Sequence, residues 1–537
     1  MFWLPLLIIV SNSPIGTLPI RMKLIILPDN PDFNETLMSR SKLLVSICLV
    51  GSFFILATQE PLPKKYGEKI TADDLKDYLS ILASDAMEGR ETGKRGQKMA
   101  AAFIRAHFED LGLTGPIGGN YYQPMEFYTT EQGETYLATS NSRFLNNEHV
   151  IYSGGDTKSE VALPLVFAGY GAKTDLDLVD VKDKAVLLLS NNDWTPGNRL
   201  ARERGAKLVL ICSTRTKEAF EELVNRTRSI HADQGLSATK PVSSEFQRPG
   251  LFYISPDIVR ELMGVGIDVL EKASQEDTKK KSLKKIKPTT LRYKATTDIK
   301  IVRTENVLGL LEGSDKKDEL LIISAHFDHV GVTPDGEGDV IYNGADDDGS
   351  GTSAVMELAK VFADAKKAGH GPRRSILFIA FTGEESGLLG SDFYARHPTF
   401  PLQNTVANLN IDMIGRRDVK HEESPPYMYV IGADKLSSAL NNVSESTNKS
   451  YTNLVFDYTY NDPAHPDNLY YRSDHWNFAK RNIPIIFYFD GIHADYHQPS
   501  DEVEKIEFDL LAKRTQCIFY TAWEIVNRED RITPDRR

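Results

Sequence analysis

The chain has 537 residues, with 63 Lys+Arg against 75 Asp+Glu and a formal net charge of −12. At about 150 residues per domain this length allows three or four structural units, and the acidic balance excludes a surface built to neutralise nucleic-acid phosphates. A hydrophobic content of 41% excludes global disorder, and three cysteines are too few for a disulfide framework or a Cys-rich zinc module.

Residues 38–57 read MSRSKLLVSICLVGSFFILA. Arg40 and Lys42 precede an apolar run from Leu43 to Ala57, the order of a secretory signal with Ala57 as its last residue. A run of about 15 residues falls short of the roughly 20 that a membrane span needs. A second apolar segment, MFWLPLLIIV, lies upstream, so translation is expected to start at Met38, or else at Met22. Residues 1–57 are therefore assigned to targeting. The remainder is expected to be exported, periplasmic or extracellular, with no stable membrane span after signal cleavage.

From Ile70 to Gly115 apolar residues recur at three and four, which predicts two helices. Between about 150 and 290 short β-branched runs broken by Gly and Asp predict a compact unit inserted into another domain. It ends in KKKSLKKIKP (279–288), read as a solvated loop or helix end. From Thr304 onward the apolar runs ELLIISA, SILFIAFT, TVANLNIDMI, YMYVIG and NIPIIFYF alternate with amphipathic helices. Nearly continuous apolar strands alternating with helices predict an α/β domain whose sheet is buried on both faces.

In such sheets ligands gather beyond the carboxyl ends of the strands, and here each apolar run hands over to acids or histidine at that end. In SAHFDHVG, His326 and Asp328 are two apart and share a face of an extended chain, whereas His329 points the other way. One of the pair would bind metal while the other orients it. NGADDDGSGTSAV places Asp346, Asp347 and Asp348 at a helix start, where N-capping accounts for one acid but not for three. Glu384 and Glu385 follow SILFIAFTG. Two adjacent carboxylates at the end of a buried strand call for a cation, after which one can ligate while the other moves a proton. Asp412 interrupts NLNIDMIG, and HADYHQPSDEVEKI offers His493 and, as the better candidate, His497. Two histidines with three carboxylates suit zinc, or less exclusively cobalt or manganese.

Together SAHFDHVG, NGADDDGSGTSA, FTGEESGLLGS, NLNIDMIGR, YYRSDHWNFAKRNIPIIF and DYHQPSDEVEKI resemble the co-catalytic di-zinc aminopeptidases of metallopeptidase family twenty-eight. LASDAMEGRETGKRG is similar to that family's N-terminal helical stretch. The resemblance implies a mixed, mostly parallel central sheet flanked by helices, the zinc-exopeptidase fold. It divides the chain into an N-terminal part of the peptidase domain (65–150), an inserted protease-associated domain (151–290) that is small and β-rich, and the di-zinc domain proper (295–530). By position, His326 and Asp412 would hold one zinc, Glu385 and His497 the other, and Asp346 would bridge them. Glu384 would be the general base, Asp328 would orient His326, and Tyr496 or Tyr470 would steady an oxyanion. A cis peptide is expected at Asp346–Asp347. The implied reaction removes the N-terminal residue from peptides with a free N-terminus, using a water shared by two zinc ions. The alternatives are a carboxypeptidase of the same fold, for which Arg416, Arg417 and Arg472 are available, a glutaminyl cyclase, and an inactive receptor-like scaffold.

Overall fold

A computed structural model describes residues 60–536, apart from 158, 191–195, 232–234, 242–249, 276–282, 284, 285, 288, 334–337 and 463, together with the short strands Leu6–Leu7 and Ile25–Ile26. The targeting segment expected at 38–57 and most of the Lys-rich stretch lie outside the described residues.

Eight strands form the larger sheet: β1 (Tyr122–Gln132), β2 (Thr297–Leu311), β3 (Lys316–His326), β4 (Arg374–Phe381), β5 (Thr405–Ile411), β6 (Tyr427–Ile431), β7 (Val455–Asp457) and β8 (Ile485–Phe489). Their spatial order is β7-β6-β8-β5-β3-β4-β2-β1. The central β4, β3, β5 and β8 run parallel, whereas β2 pairs antiparallel with both β4 and β1, and β6 antiparallel with β8. The sheet is thus mixed, as expected.

Burial explains why the central strands read as continuous apolar runs. Along β3, Leu321, Ile323 and Ala325 join one core cluster and Leu320 and Ile322 another, so successive residues fill opposite faces. The first face is covered by α1 (Ala72–Leu82), α2 (Arg95–Asp110), α3 (Gly351–Lys367) and α4 (Phe508–Asn527). In α1, Thr71 accepts a hydrogen bond from the Asp74 N–H as N-cap, and Leu75, Leu79 and Leu82 supply the buried stripe.

A second eight-stranded sheet occupies residues 136–294, in the order 143–145, 136–138, 289–294, 161–167, 185–189, 208–212, 250–254, 150–153. The four strands from Val161 to Ile254 are parallel and buried on both faces. The inserted unit expected at 151–290 therefore begins earlier, because Tyr136–Ala138 and Arg143–Leu145 pair into its edge. Both sheets belong to the unit Tyr66–Arg537. Among the described residues no helix is long and apolar enough to cross a membrane.

Candidate metal centre

The parallel strands end together, and their last residues converge. His326 closes β3, Glu384 and Glu385 follow β4, and Asp412 follows β5. Asp347 arrives from the turn ahead of α3, and His497 from the loop after β8. Two donor groups result, His326–Asp347–Asp412 and His329–Asp347–Glu385, with Asp347 common to both.

In the first group His326 Nε2 lies 3.2 Å from Asp347 Oδ1 and 3.6 Å from Asp412 Oδ1. In the second, His497 Nε2 lies 3.1 Å from Asp347 Oδ2 and 3.0 Å from Glu385 Oε2, and His329 Nδ1 lies 2.8 Å from Glu385 Oε1. Two donors each about 2.0–2.1 Å from one tetrahedral ion stand roughly 3.3 Å apart, so these separations suit a shared divalent cation. Both ring nitrogens of His329, Asp347 Oδ2 and Glu385 Oε1 are buried and make no hydrogen bond despite their closeness. Buried polar atoms aimed at a common point without hydrogen-bond partners are costly unless an ion satisfies them.

The surrounding residues hold this shell in place. Asp501 accepts the backbone N–H groups of both Asp346 and Asp347, at 3.0 and 3.1 Å. Asp348 accepts from the backbones of His326, Gly351 and Met413. Ser473 donates to Asp412 Oδ2 at 2.6 Å. The buried Arg90 donates to the carbonyls of Leu82, Phe327, Asn343 and Gly344, stitching the loop after β3 to the acidic turn. Met413 and His497 sit at φ 58° and 54°, left-handed conformations that non-glycine residues adopt at a cost.

Residues 306–522 match the family model described as peptidase family M28. This region is an M28 peptidase domain. The chain is 26% identical over 458 residues to "Aminopeptidase YwaD" of Bacillus subtilis (strain 168), covering 83% of each. It is 28% identical over 218 residues to a "Probable leucine aminopeptidase" of Trichophyton verrucosum (strain HKI 0517), covering 39% of this chain and 55% of that one. A solved structure of a zinc aminopeptidase from Bacillus subtilis aligns with a TM-score of 0.46 and 21% identity, over 87% of this chain and 99% of that one.

Within the M28 domain most expected positions meet, and two do not. Asp346 does not enter the shell. Its Oδ1 accepts the Gly415 N–H at 2.7 Å, and its Oδ2 lies 3.1 Å from His493 Nε2. The middle acid, Asp347, takes the place between the donor groups, and the cis peptide is Asp347–Asp348. The sequence DDD offers three equivalent carboxylates; the turn and its Asp501 clamp decide which one points inward. Tyr470 packs among Tyr471, His475 and Trp476 instead of facing the shell. Tyr496 stacks on the His497 ring at 3.9 Å and lines a small pocket with His326, Asp347, Glu384 and Asp412.

His329 is the residue that strand alternation mislaid. β3 ends at His326, after which the chain turns and the His329 N–H bonds the Arg90 carbonyl, so the period of two no longer applies. Asp328 contributes differently from expectation. Its backbone carbonyl lies 3.1 Å from His326 Nδ1, while its carboxylate accepts from the Thr92 hydroxyl and the Glu384 N–H.

The shell's charge state reports the same crowding. Burial pulls the His326 imidazole down, but Glu384, Asp412 and Asp347 together hold it well above its ordinary value. Burial likewise lowers His497, yet the Asp347 and Glu385 carboxylates facing it raise it to about 10. Burial and the neighbouring carboxylates push Glu384 well above the usual carboxyl range despite His326. Glu385 is raised by burial and by Asp347 but falls to about 2 because His329 and His497 face it. With protons alone, both imidazoles are driven to the cationic form, the condition that divalent ions would relieve.

Proposed function

We propose that the chain is a zinc aminopeptidase that holds two ions, one on His326 and Asp412, the other on Glu385 and His497, with Asp347 shared. The observation that carries this is a single carboxylate common to two donor groups with Glu384 beside them, its Oε2 4.0 Å from His326 Nε2. When bound, two divalent cations would acidify a water and polarise the scissile carbonyl.

The chain's own residues do the rest. Glu384 lines the small pocket next to Asp347 and Asp412, where it would take a proton from water and return it to the departing amine. The Asp328 carboxylate fixes the Glu384 backbone, and with it the direction of that proton transfer. Tyr496, with its hydroxyl kept neutral by burial and by the surrounding acids, would donate to the developing oxyanion. The carboxylate shell favours a substrate ammonium over a carboxylate, which sets cutting at the N-terminus. Of the arginines that would read a C-terminal carboxylate, Arg416 is paired with Asp495 and Arg417 with Glu507, leaving Arg472 to line the pocket.

A panel of N-terminally free, N-blocked and C-terminally acidic peptides, with zinc counted per chain, tests this. Only free N-termini should be cut. Glu384→Gln should lower kcat by about two orders of magnitude or more with zinc content unchanged; full activity in that variant would defeat the assignment of the base. The inserted sheet is proposed to be a protease-associated domain, and residues 38–57 an export signal. N-terminal sequencing of the mature protein should then begin after Ala57, and a mature chain starting before Met38 would contradict that.

A further inference from the structure

The small pocket beside the donor shell has two kinds of wall. One is the shell itself; the other is apolar and includes Leu469, Phe487 and Phe489. The apolar wall is packed from behind. Phe487 and Phe489 sit in one core cluster with Tyr427 and Tyr429, and the His475 ring stacks on Phe487 with centroids 4.6 Å apart.

One lining residue fits neither wall. Arg472 follows the turn Leu469–Tyr471, where its N–H bonds the Leu469 carbonyl at 3.0 Å. It immediately precedes Ser473, whose hydroxyl donates to Asp412 Oδ2 at 2.6 Å. Neighbouring Cα atoms are about 3.8 Å apart, so this bond holds the Arg472 backbone at the edge of the shell. Arg472 is exposed, and among the described residues no carboxylate lies within ion-pairing distance of it. Arg416 and Arg417, by contrast, are spent on Asp495 and Glu507.

We propose that Arg472 selects substrates whose N-terminal residue is acidic, glutamate or aspartate, by pairing with that side-chain carboxylate. The proposal rests on the aminopeptidase function above. The α-ammonium and the side chain are different substituents of one carbon. With the ammonium taken by the carboxylates of the shell, the side chain enters the pocket and its tip meets a guanidinium. That planar fork holds a carboxylate through two parallel N–H···O bonds. An N-terminal lysine or arginine sets a second cation against Arg472, and an aliphatic side chain gains only the apolar wall. Glutamine has the shape of glutamate without its charge, and is therefore the comparison that isolates the ion pair.

The test uses the full zinc-loaded chain and the α-(4-nitroanilides) of glutamate, glutamine, leucine and lysine. The value of kcat/KM for glutamate should exceed that for glutamine by about fivefold or more, and that for lysine by a larger factor. Raising the salt should shrink the glutamate-to-glutamine ratio, because a partly exposed pair is screened. Arg472→Gln should bring that ratio close to one, and Arg472→Glu should put lysine ahead of glutamate. The parent series and its salt dependence need no variant, so they decide the matter even where a variant fails to fold. A smaller ratio in the parent chain with leucine still cleaved, or a ratio that Arg472→Gln leaves unchanged, would overturn the proposal and leave the aminopeptidase function standing. Cleavage of N-blocked acidic peptides, or of none of the four anilides, would overturn that function and this assignment with it.

Discussion

Asp346, Asp347 and Asp348 are chemically identical and adjacent, yet each meets a different partner. Asp346 is taken by His493 and the Gly415 N–H, Asp347 by the donor shell, and Asp348 by three backbone N–H groups. Away from the centre, Glu357 on α3 shows what burial does without a metal in reach. Its carboxylate is pushed to about 7 by desolvation, against which Lys360, 3.1 Å away, works in the opposite sense, while Asp74 adds to the rise. The folded value lies above the ordinary 4.5, so the folded state holds the extra proton between the two. This contribution to stability is complete below about pH 4.5 and is lost as the pH climbs to about 7. Glu357→Gln should flatten that slope, by something on the order of 1–3 kcal/mol across the window, as read from urea midpoints at several pH values. An unchanged slope would contradict the assignment.

The elements decide which side chains can meet. Parallel β3, β4 and β5 end at one level, so acids and imidazoles far apart in sequence arrive together, and this convergence could be read from the apolar runs alone. What could not be read is the conformation of the connecting turns. The loop carrying His329 and the turn carrying Asp347 are shaped by Arg90, more than 230 residues before either in the chain by a simple count of positions. No local pattern announces that a buried guanidinium will bind four carbonyls. Arg90→Met should leave those carbonyls unpaired and cost about 3 kcal/mol or more in denaturant unfolding. A variant of unchanged stability would show that the loops hold their shape without it.

At the scale of the whole molecule, the inserted sheet is large enough to bury its own core, and the short β-branched runs that predict it form strands 161–167, 185–189 and 208–212, whereas strand 250–254 was not among them. Its true edge was not visible, because Tyr136–Ala138 and Arg143–Leu145 are three-residue strands whose pairing is long-range. The two sheets are joined by β1 and β2, which pair from Tyr122 to Gln132 and place a polar cleft beside the shell. The candidate metal donors all belong to the larger sheet and its connections. All of it presupposes that Asp347, and not its neighbour, is the carboxylate the ions share. Counting zinc by mass spectrometry in the parent chain, in Asp347→Ala and in Asp346→Ala tests this most directly. The parent should carry two ions, Asp347→Ala should lose most of both, and Asp346→Ala should retain at least one. Depletion by Asp346→Ala with a full complement in Asp347→Ala would contradict the account.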